Sequence, residues 1–592
     1  MKTLCTLVLF ACCGCTAMGQ QVYVNQVAFE QHSPKHAVVA ADDSMKIDRA
    51  FWLEAAATGE KVRSGVLEAP QQVPEWRPHT NFYVADFSTL ELAGTYVLKV
   101  KKGNMVTSSA PFSIGPNALT AQAIPAILHY YNKQKANTPE EWAADAHAQL
   151  FGSNKTVDLR GGWCDASGDV SKYFSHLAYA NFMSPQQIPL VTWSLLSAAE
   201  SMPNLLHRWG VEDSINNEAM WGADYILRDL SDSGYFYMTL FTYFKKDPKA
   251  RRVVGLLANS VTTNDYQCAF REGGGMAIAA LARAARLHVH GDATNAEYLA
   301  GAERAFAHLL VNNLRYCDDH KENIIDDYCA LLAATELWIT TNNPDYGNEA
   351  RKRAANLNAR MSAAGYFIAD DGSRPFWPAS DAGMPVVALA RYLSMEKEPG
   401  ARRAALATIK KALDYNLRVS AAVSNPFGYA RQSFRFKGTV KDGFFIPHDN
   451  ETGWWWQGEN ARLASLATAA IVGGRLVYPN SGENARFGVK PALAAFAASQ
   501  VSWVLGCNPY NMCFMYQFGQ HNVPYMHSNY GHGSEKGGVS NGITGKDGNP
   551  DGSGIDFKEE AEGNEWRWTE QWIPHAAWLL QALAAMADGQ EK

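Results

Sequence analysis

Between Val22 and Ile114 the apolar positions fall in short runs broken by turn residues: Val22–Val24, His36–Ala40, Ala50–Leu53, Asn81–Phe87, Thr95–Val100 and Ala110–Ile114. Several alternate with polar positions, as Tyr96, Leu98 and Val100 do, which is the period of a strand with one buried face. Six or seven such strands in succession predict an immunoglobulin-like β-sandwich over residues 20–115. After Pro116 the period lengthens to that of helices rich in Ala and Leu. They are expected near 118–133, 190–208, 214–230, 273–288, 294–314, 325–341, 346–363, 382–396, 400–420, 459–473, 488–505 and 571–588. Many, such as Met276–Leu287 and Ala464–Ile471, are apolar or small on most sides, so each is expected to bury against two neighbours rather than one. About twelve helices with no strands between them and no repeat of fixed period predict six inner and six outer helices closed in a ring. The chain thus reads as multidomain, with the sandwich followed by an all-α (α/α)6 barrel over residues 116–592.

Four connections, 152–189, 231–271, 421–457 and 507–569, are too long to be simple links and hold most of the unusual acidic, aromatic and His residues. Long loops in a compact domain usually carry function, so the candidate site belongs at the barrel end where they gather. The N-terminus joins Met1-Lys2-Thr3 to an apolar run from Leu4 to Cys13 and then Ala17-Met18-Gly19. That is the layout of an export signal over residues 1–19, giving a periplasmic or secreted protein, and the run is too short to span a membrane. Leu9-Phe10-Ala11-Cys12 also resembles a lipobox, so the alternative is an outer-membrane lipoprotein anchored at Cys12. Beyond this segment stand six widely spaced cysteines, at 164, 268, 317, 329, 507 and 513, with no CxxC pair. Their spacing argues against a zinc ribbon and does not demand disulfides. A net charge of -6 leaves no basic footprint, so nucleic acid is not an expected partner.

The densest candidate chemistry is Gly161-Gly162-Trp163-Cys164-Asp165-Ala166-Ser167-Gly168-Asp169-Val170-Ser171-Lys172-Tyr173. Gly and Ser favour a tight turn here, which would aim Asp165 and Asp169 at one water. A second acidic cluster, with Glu565 and Glu570 among Trp566, Trp568 and Trp572, lies some four hundred residues later. Carboxylates meeting in an aromatic cleft suit glycoside hydrolysis, one to activate water and one to protonate the leaving oxygen. The plain alternative is that Asp165 caps a helix and Glu570 is a solvated acid at a helix start. Trp454, Trp455 and Trp456 are consecutive and cannot all face the core, so one or more is expected as a sugar platform, with Glu459 or Asn460 capping the next helix. Phe376-Trp377-Pro378 and Asn425-Pro426-Phe427-Gly428-Tyr429 are weaker platforms of the same kind, and Asp326-Asp327-Tyr328 reads as a helix start. His521, His527 and His532 share a Gly-rich loop, a spacing that suits a surface loop better than a metal site, and no metal ligand is assigned.

Residues 161–173 resemble the Gly-Gly-Trp-Tyr-Asp-Ala-Gly-Asp-Tyr-Gly-Lys-Tyr signature of glycoside hydrolase family 9. Here Asp-Ala-Ser-Gly-Asp is one residue longer, and Lys172-Tyr173 set the register that makes Asp169 the base and Asp165 its helper. Leu505-Gly506-Cys507-Asn508-Pro509, running to Phe518-Gly519, is similar to the family's Leu-Gly-Asp-Asn-Pro and Gly-Phe-Gly, with Cys507 in place of Asp. His527 stands where the family has Pro-His-His-Arg, without the second His or the Arg. Asn541-Gly542-Ile543-Thr544-Gly545 resembles Asn-Gly-Leu-Val-Gly-Gly, and an ungapped match from Glu570 to Ala584 favours Glu570 over Glu565 as the acid. Trp568 and Trp572 are expected to desolvate it and raise its pKa. Asn25–Phe29 followed by Pro34–Val39 resembles the start of the immunoglobulin-like module of cellulases.

The resemblance implies an inverting glycoside hydrolase acting on β-glycosidic bonds, chiefly of β-1,4-glucan, with Asp165, Asp169 and Glu570 catalytic. Tyr173, Trp455, Trp456, His527 and Trp572 are the expected contacts to β-glucan or a related oligosaccharide. The alternatives are an exo-acting β-glucosidase or β-glucosaminidase of the same family, or a non-catalytic glycan-binding protein at the cell surface. Calcium accompanies many structures of the family, so a structural calcium is the cofactor the resemblance allows, and no ligand set for it stands out.

Overall fold

A computed structural model describes residues 20–588, except 46, 177–185, 246, 258–260, 371, 451–452, 455, 483–484, 528–530 and 561–564. The expected export signal, the anchor residue Cys12 and the platform residue Trp455 lie outside the described residues. Among those described, no helix is long and apolar enough to cross a membrane.

The alternation along the first hundred residues becomes two facing sheets. β1 (Gln21–Val24), β3 (His36–Asp42) and β6 (Thr80–Asp86) form one. β2 (Ala28–Glu30), β9 (Phe112–Gly115), β7 (Gly94–Lys102), β4 (Ala50–Ala55) and β5 (Lys61–Val66) form the other in that order, and β8 (Met105–Ser108) pairs with β7. Tyr96, Leu98 and Val100 point inward and are buried, beside Phe29, Phe87 and Phe112.

Six helices form the inner ring: α3 (Ile188–Ser201), α6 (Gly275–Ala284), α8 (Ile324–Thr341), α10 (Met384–Leu393), α12 (Asn460–Val477) and α15 (Ile573–Asp588). Each touches the next, and α15 returns to α3, which closes the barrel. The outer ring is α1 (Ala118–Lys133), α5 (Glu212–Asp229), α7 (Asn295–Tyr316), α9 (Pro344–Ala359), α11 (Pro399–Ala421) and α13 (Pro491–Val504). Each of these packs on one or two inner helices. Inner helices such as α6 and α8 are buried nearly all round, while α9 and α11 bury a single stripe, which is the difference expected for helices with neighbours on two sides or one.

The stretch read as one helix from 190 to 208 is two, α3 and α4 (Pro203–Arg208). Pro203 lacks an N–H and its ring disfavours helix at the preceding residue, and Met202 is accordingly non-helical. The expectation of no strands between helices is also corrected. The long loops pair with one another through β10 (Ala148–Leu150), β11 (Thr156–Val157), β12 (Lys172–Tyr173), β13 (Thr239–Phe241), β14 (Arg252–Leu257) and β15 (Val261–Thr263). Hairpins β16 (Gln432–Phe436) with β17 (Thr439–Gly443), and β18 (Asp449–Asn450) with β19 (Gly453–Trp454), complete this layer. It covers the barrel end at which the inner helices begin.

The sandwich is joined to the barrel by buried polar contacts. Gln26 N donates to Leu505 O at 2.9 Å and Gln26 Nε2 to Asn511 O at 2.7 Å. Trp76 packs on Phe444 and Trp503. Cys507, where the resembling motif has Asp, is buried with Sγ 3.7 Å from Tyr23 O, so this position faces the sandwich and not the cleft.

Asp145, at the end of α2 (Pro139–Asp145), is fully buried between Lys172 Nζ at 2.6 Å and Arg251 Nε at 2.9 Å. Lys172 Nζ also donates to Gly161 O at 2.8 Å, which ties the ends of the aspartate segment together. Removing one partner of a buried ion cluster strands the others without compensation. Asp145→Ala is therefore expected to cost about 3–5 kcal/mol, read as a lower midpoint in urea denaturation followed by tryptophan fluorescence.

Candidate active site

The Gly-rich segment before α3 turns as its composition predicts. Gly162 takes φ +71°, and a Cβ there would press into the Tyr225 ring at 2.9 Å, so glycine is required for both conformation and space. Four residues on, the chain reverses between Ala166 and Asp169, whose backbones bond to each other in both directions at 3.2 and 3.3 Å. Asp169 is oriented by two donors. Ser171 N–H gives to Oδ1 at 2.8 Å, and the Tyr173 hydroxyl gives to Oδ2 at 2.9 Å. Asp165 is oriented by two others, Trp572 Nε1 at 3.2 Å from Oδ1 and His176 Nε2 at 3.3 Å from Oδ2. A carboxylate oxygen accepts more than one hydrogen bond, so both groups keep capacity for water.

Glu570 is delivered to this turn by a short extended segment between α14 (Trp566–Thr569) and α15. The segment is stitched on both sides. Ser167 N donates to Gln571 O at 3.1 Å and Gln571 N to Ser167 Oγ at 2.9 Å. On the other side Asn541 N donates to Glu570 O at 2.9 Å. Ser167 and Gly168 occupy the part of the turn that is longer than the resembling signature, and Ser167 grips the residue next to Glu570. A methyl group at Gly168 would lie 3.4 Å from Glu570 Oε1, which puts that carboxyl directly over the turn between the aspartates.

The electrostatics separate the three acids. Burial pushes Glu570 well above the ordinary glutamate range, and the negative charges of Asp165 and Asp169 push it further. Asn541 Nδ2, 3.5 Å from Oε2, works weakly in the opposite sense. Asp165 is also raised by burial, with the His176 imidazole opposing the rise. A chain of hydrogen bonds sets the Asn541 amide: Ala461 N–H donates to His575 Nδ1 at 2.6 Å, so Nε2 carries the proton toward Asn541 Oδ1 at 2.7 Å. Burial holds His575 down near 3, which keeps it neutral in this role.

The sandwich followed by a helical barrel agrees with comparison to known proteins. The profile described as glycosyl hydrolase family 9 matches residues 121–553, most of the chain. The chain belongs to glycosyl hydrolase family 9. Residues 17–104 match the cellulase N-terminal ig-like domain. No curated protein matches the chain. Among solved structures, a family 9 protein of Bacteroides ovatus is 18% identical at a TM-score of 0.63, covering 96% of this chain and 98% of that one. A zinc-binding triple mutant of the family 9 endoglucanase J30 is 18% identical at 0.65, covering 94% and 99%. The cellulase Cel9M of C. cellulolyticum in complex with cellobiose is 17% identical at 0.51, covering 78% and 97%. At these identities the likeness is one of fold.

In this family 9 chain the three acids singled out in the sequence, Asp165, Asp169 and Glu570, gather at the aspartate turn. Glu565 instead opens α14, where its carbonyl accepts from Trp568 and Thr569. The five expected sugar contacts are placed less uniformly. His527 is exposed, edge-on to the exposed ring of Tyr525. Tyr173 and Trp572 are buried, and their polar atoms are spent on Asp169 and Asp165, so they orient the acids rather than face an open cleft. Trp456 is buried too, stacked on His448 at 4.2 Å and covered by the Arg567 guanidinium at 3.6 Å. Of the two described members of the trio, Trp454 is the exposed one, at 50%. Trp568 is buried, and its indole N–H donates to Thr544 Oγ1 at 2.9 Å. Sequence reasoning missed His176 and His575. His176 follows Tyr173 by three residues and stacks on it at 3.8 Å, a proximity that only the strand geometry reveals.

Glu459 and Asn460 lie at the start of α12, but neither makes a side-chain cap: Glu459 pairs with Arg462, and Asn460 Nδ2 donates to Ser540 O. Trp377 and Phe427 are core residues. Asp326 caps α8 from within the barrel, where Arg271 Nε stands 3.0 Å away. His521, His527 and His532 do not converge. His532 instead meets Glu141 and Cys164.

Proposed function

We propose that the chain is an inverting β-glycosidase acting on β-1,4-glucan or related oligosaccharides. The observation that carries this reading is the seating of Glu570 against the Asp165–Asp169 turn, with its proton affinity raised while the Asp169 carboxylate is held by two donors. Water held between the aspartates gives a proton to Asp169 as its oxygen attacks the anomeric carbon. The bond to the leaving oxygen breaks, and Glu570 supplies that oxygen with its proton. Asp165 shares the water and is kept in place by Trp572 and His176. Inversion follows because water and acid act on opposite faces of the sugar.

The test is incubation with β-1,4-glucans, cello-oligosaccharides and chitosan oligomers, with product anomers followed by proton NMR from the first minutes. Release of the α-anomer from β-linked glucan is expected. First-formed β-anomer would refute inversion, and no cleavage of any β-glycan would refute the reading. The apolar N-terminal run supports export, which places the enzyme where polymeric substrate is found.

Trp454 projects from the β18–β19 hairpin, edge-on to Trp456, and is proposed as a stacking face for a sugar ring away from the scissile bond. Trp454→Ala is expected to raise KM on long oligosaccharides by roughly three- to tenfold, the worth of an aromatic contact of about 0.5–1.5 kcal/mol. kcat should change little, since the contact is equal in ground and transition states.

A further inference from the structure

Arg567 stands in α14, three residues before Glu570, and is half-buried. Its Nε is enclosed and meets no acceptor among the described residues, and its terminal nitrogens form no ion pair or hydrogen bond with any of them. A guanidinium withdrawn from water is costly unless its N–H groups are paired. The carboxylates of its surroundings are already taken. Asp547, whose charge Arg567 feels, and Asp556 are both held by Lys558, with Nζ 2.5 and 3.8 Å from their Oδ2 atoms. Glu570 is pushed toward its protonated form, so as an acid it offers no countercharge.

The unpaired group is fixed in place all the same. The guanidinium lies 3.6 Å from the centre of the Trp456 ring and 5.2 Å from that of Trp566, and Trp456 stacks on His448 at 4.2 Å. Contact with aromatic faces orients an arginine without using its N–H groups. His448 is fully buried with both ring nitrogens unpartnered, and Trp456 Nε1 is unpartnered too. Burial holds His448 down near 4, so it adds no charge to the stack. Trp454, half exposed, stands edge-on to Trp456 at 5.7 Å.

The stack adjoins the acid. Asn541 Nδ2 donates to Trp566 O at 2.6 Å and stands 3.5 Å from Glu570 Oε2, so the backbone entering Arg567 runs beside that carboxyl. Three residues of chain span at most about 11 Å, which puts Arg567 in reach of the sugars flanking the bond to be cut. We propose that Arg567 is a specificity residue that binds the carboxylate of a uronic acid unit in the β-glycan. The inference rests on the glycosidase reading above and names the substrate class more closely. A planar guanidinium presents parallel N–H donors that match the two oxygens of a carboxylate, and the pairing strengthens where water is partly excluded. A neutral sugar leaves the charge uncompensated, whereas a uronate supplies both the acceptors and the countercharge.

The experiment compares neutral cello-oligosaccharides with the same oligomers oxidised at C6 to glucuronate, using the full-length chain. KM from initial rates is expected to be about tenfold lower for the carboxylated oligomers, and the gap should narrow between about 20 and 300 mM salt. Arg567→Gln should bring the KM ratio close to one. Arg567→Lys should keep part of the preference, since an ammonium retains the charge but not the fork. Isothermal calorimetry of Glu570→Gln with both oligomers gives the same ratio as dissociation constants, without turnover. Equal affinity for the two oligomers, or a preference that survives Arg567→Gln, would refute the assignment. Cleavage of the neutral oligomers without that preference sinks this inference and leaves the glycosidase reading standing. Failure to cleave either kind sinks the reading, while calorimetry still decides the role of Arg567. Where Arg567→Gln does not fold, Arg567→Lys and the wild-type salt dependence carry the test.

Discussion

Glu570→Gln is expected to lower kcat on β-glucan by about 10²–10⁴, while hydrolysis of aryl glycosides with acidic phenol leaving groups falls far less. The amide keeps the volume of the carboxyl over Gly168 but has no proton to give. A sugar hydroxylate leaves poorly unless protonated, whereas a stabilised phenolate leaves without help. The ratio of the two losses therefore isolates the acid role from any general damage to the site. The pH profile adds a second reading. Glu570 must be protonated, and since burial and the two aspartates raise its pKa, the alkaline limb of kcat/KM should stand above the ordinary glutamate range. That limb should vanish in Glu570→Gln. Stability follows pH in the same direction as activity. A carboxyl whose pKa is raised in the folded state holds its proton more tightly there than in the unfolded chain. Its contribution is full below the unfolded pKa and is lost as pH rises through the folded value. Glu570→Gln should thus raise Tm at about pH 7 and change it little at about pH 4. Equal loss on both substrate types, or a lower Tm at neutral pH, would count against Glu570 as the acid.

Asp169→Asn is expected to remove activity on natural and activated substrates alike, again by about 10²–10⁴. Every substrate needs the attacking water to lose its proton, so no choice of leaving group rescues the variant. In the variant the amide oxygen still accepts from the Ser171 N–H and the amide nitrogen can donate to the Tyr173 hydroxyl oxygen, so folding should be preserved, as circular dichroism would show. Tyr173→Phe, which removes one of those donors, is the milder companion. It should lower kcat with little change in KM, because the hydroxyl positions the base and the ring itself is buried. Asp169→Asn retaining ordinary rates on aryl glycosides would exclude it as the base and point to Asp165.

The helical part of the fold was legible because a buried helix must show its neighbours an apolar surface at a fixed period. α1 falls at 118–133 in sequence and structure alike, and α8 and α11 differ from their predicted ends by only one residue. The strands in the loops escaped notice because a two-residue strand such as Lys172–Tyr173 contains no period to detect. Its pairing with Thr239–Leu240 is decided by residues nearly seventy positions away.

The site divides along the same line. Asp165 and Asp169 could be named from local spacing, since the turn that gathers them is made by the residues between them, while Glu570 was singled out by the family resemblance running from it to Ala584. Side-chain exposure is a property of what packs on top, and no local pattern records it. Trp456 and Trp454 lie two residues apart in one aromatic run, yet His448 and Arg567 bury the first and leave the second half exposed. Tyr173 and Trp572 read as sugar contacts, and the structure places them buried with hydrogen bonds to Asp169 and Asp165. Sequence alone determined where the long helices and the sandwich strands fall, their order, and which acids are candidates, because each of these depends on residues within a few turns of one another. Only the tertiary structure decided that Ser167 would clasp Gln571, that His575 and Asn541 would stand behind Glu570, and that Glu141, Cys164 and His532 would meet. Those contacts join segments up to some four hundred residues apart, and the closure of the helical ring alone brings them together.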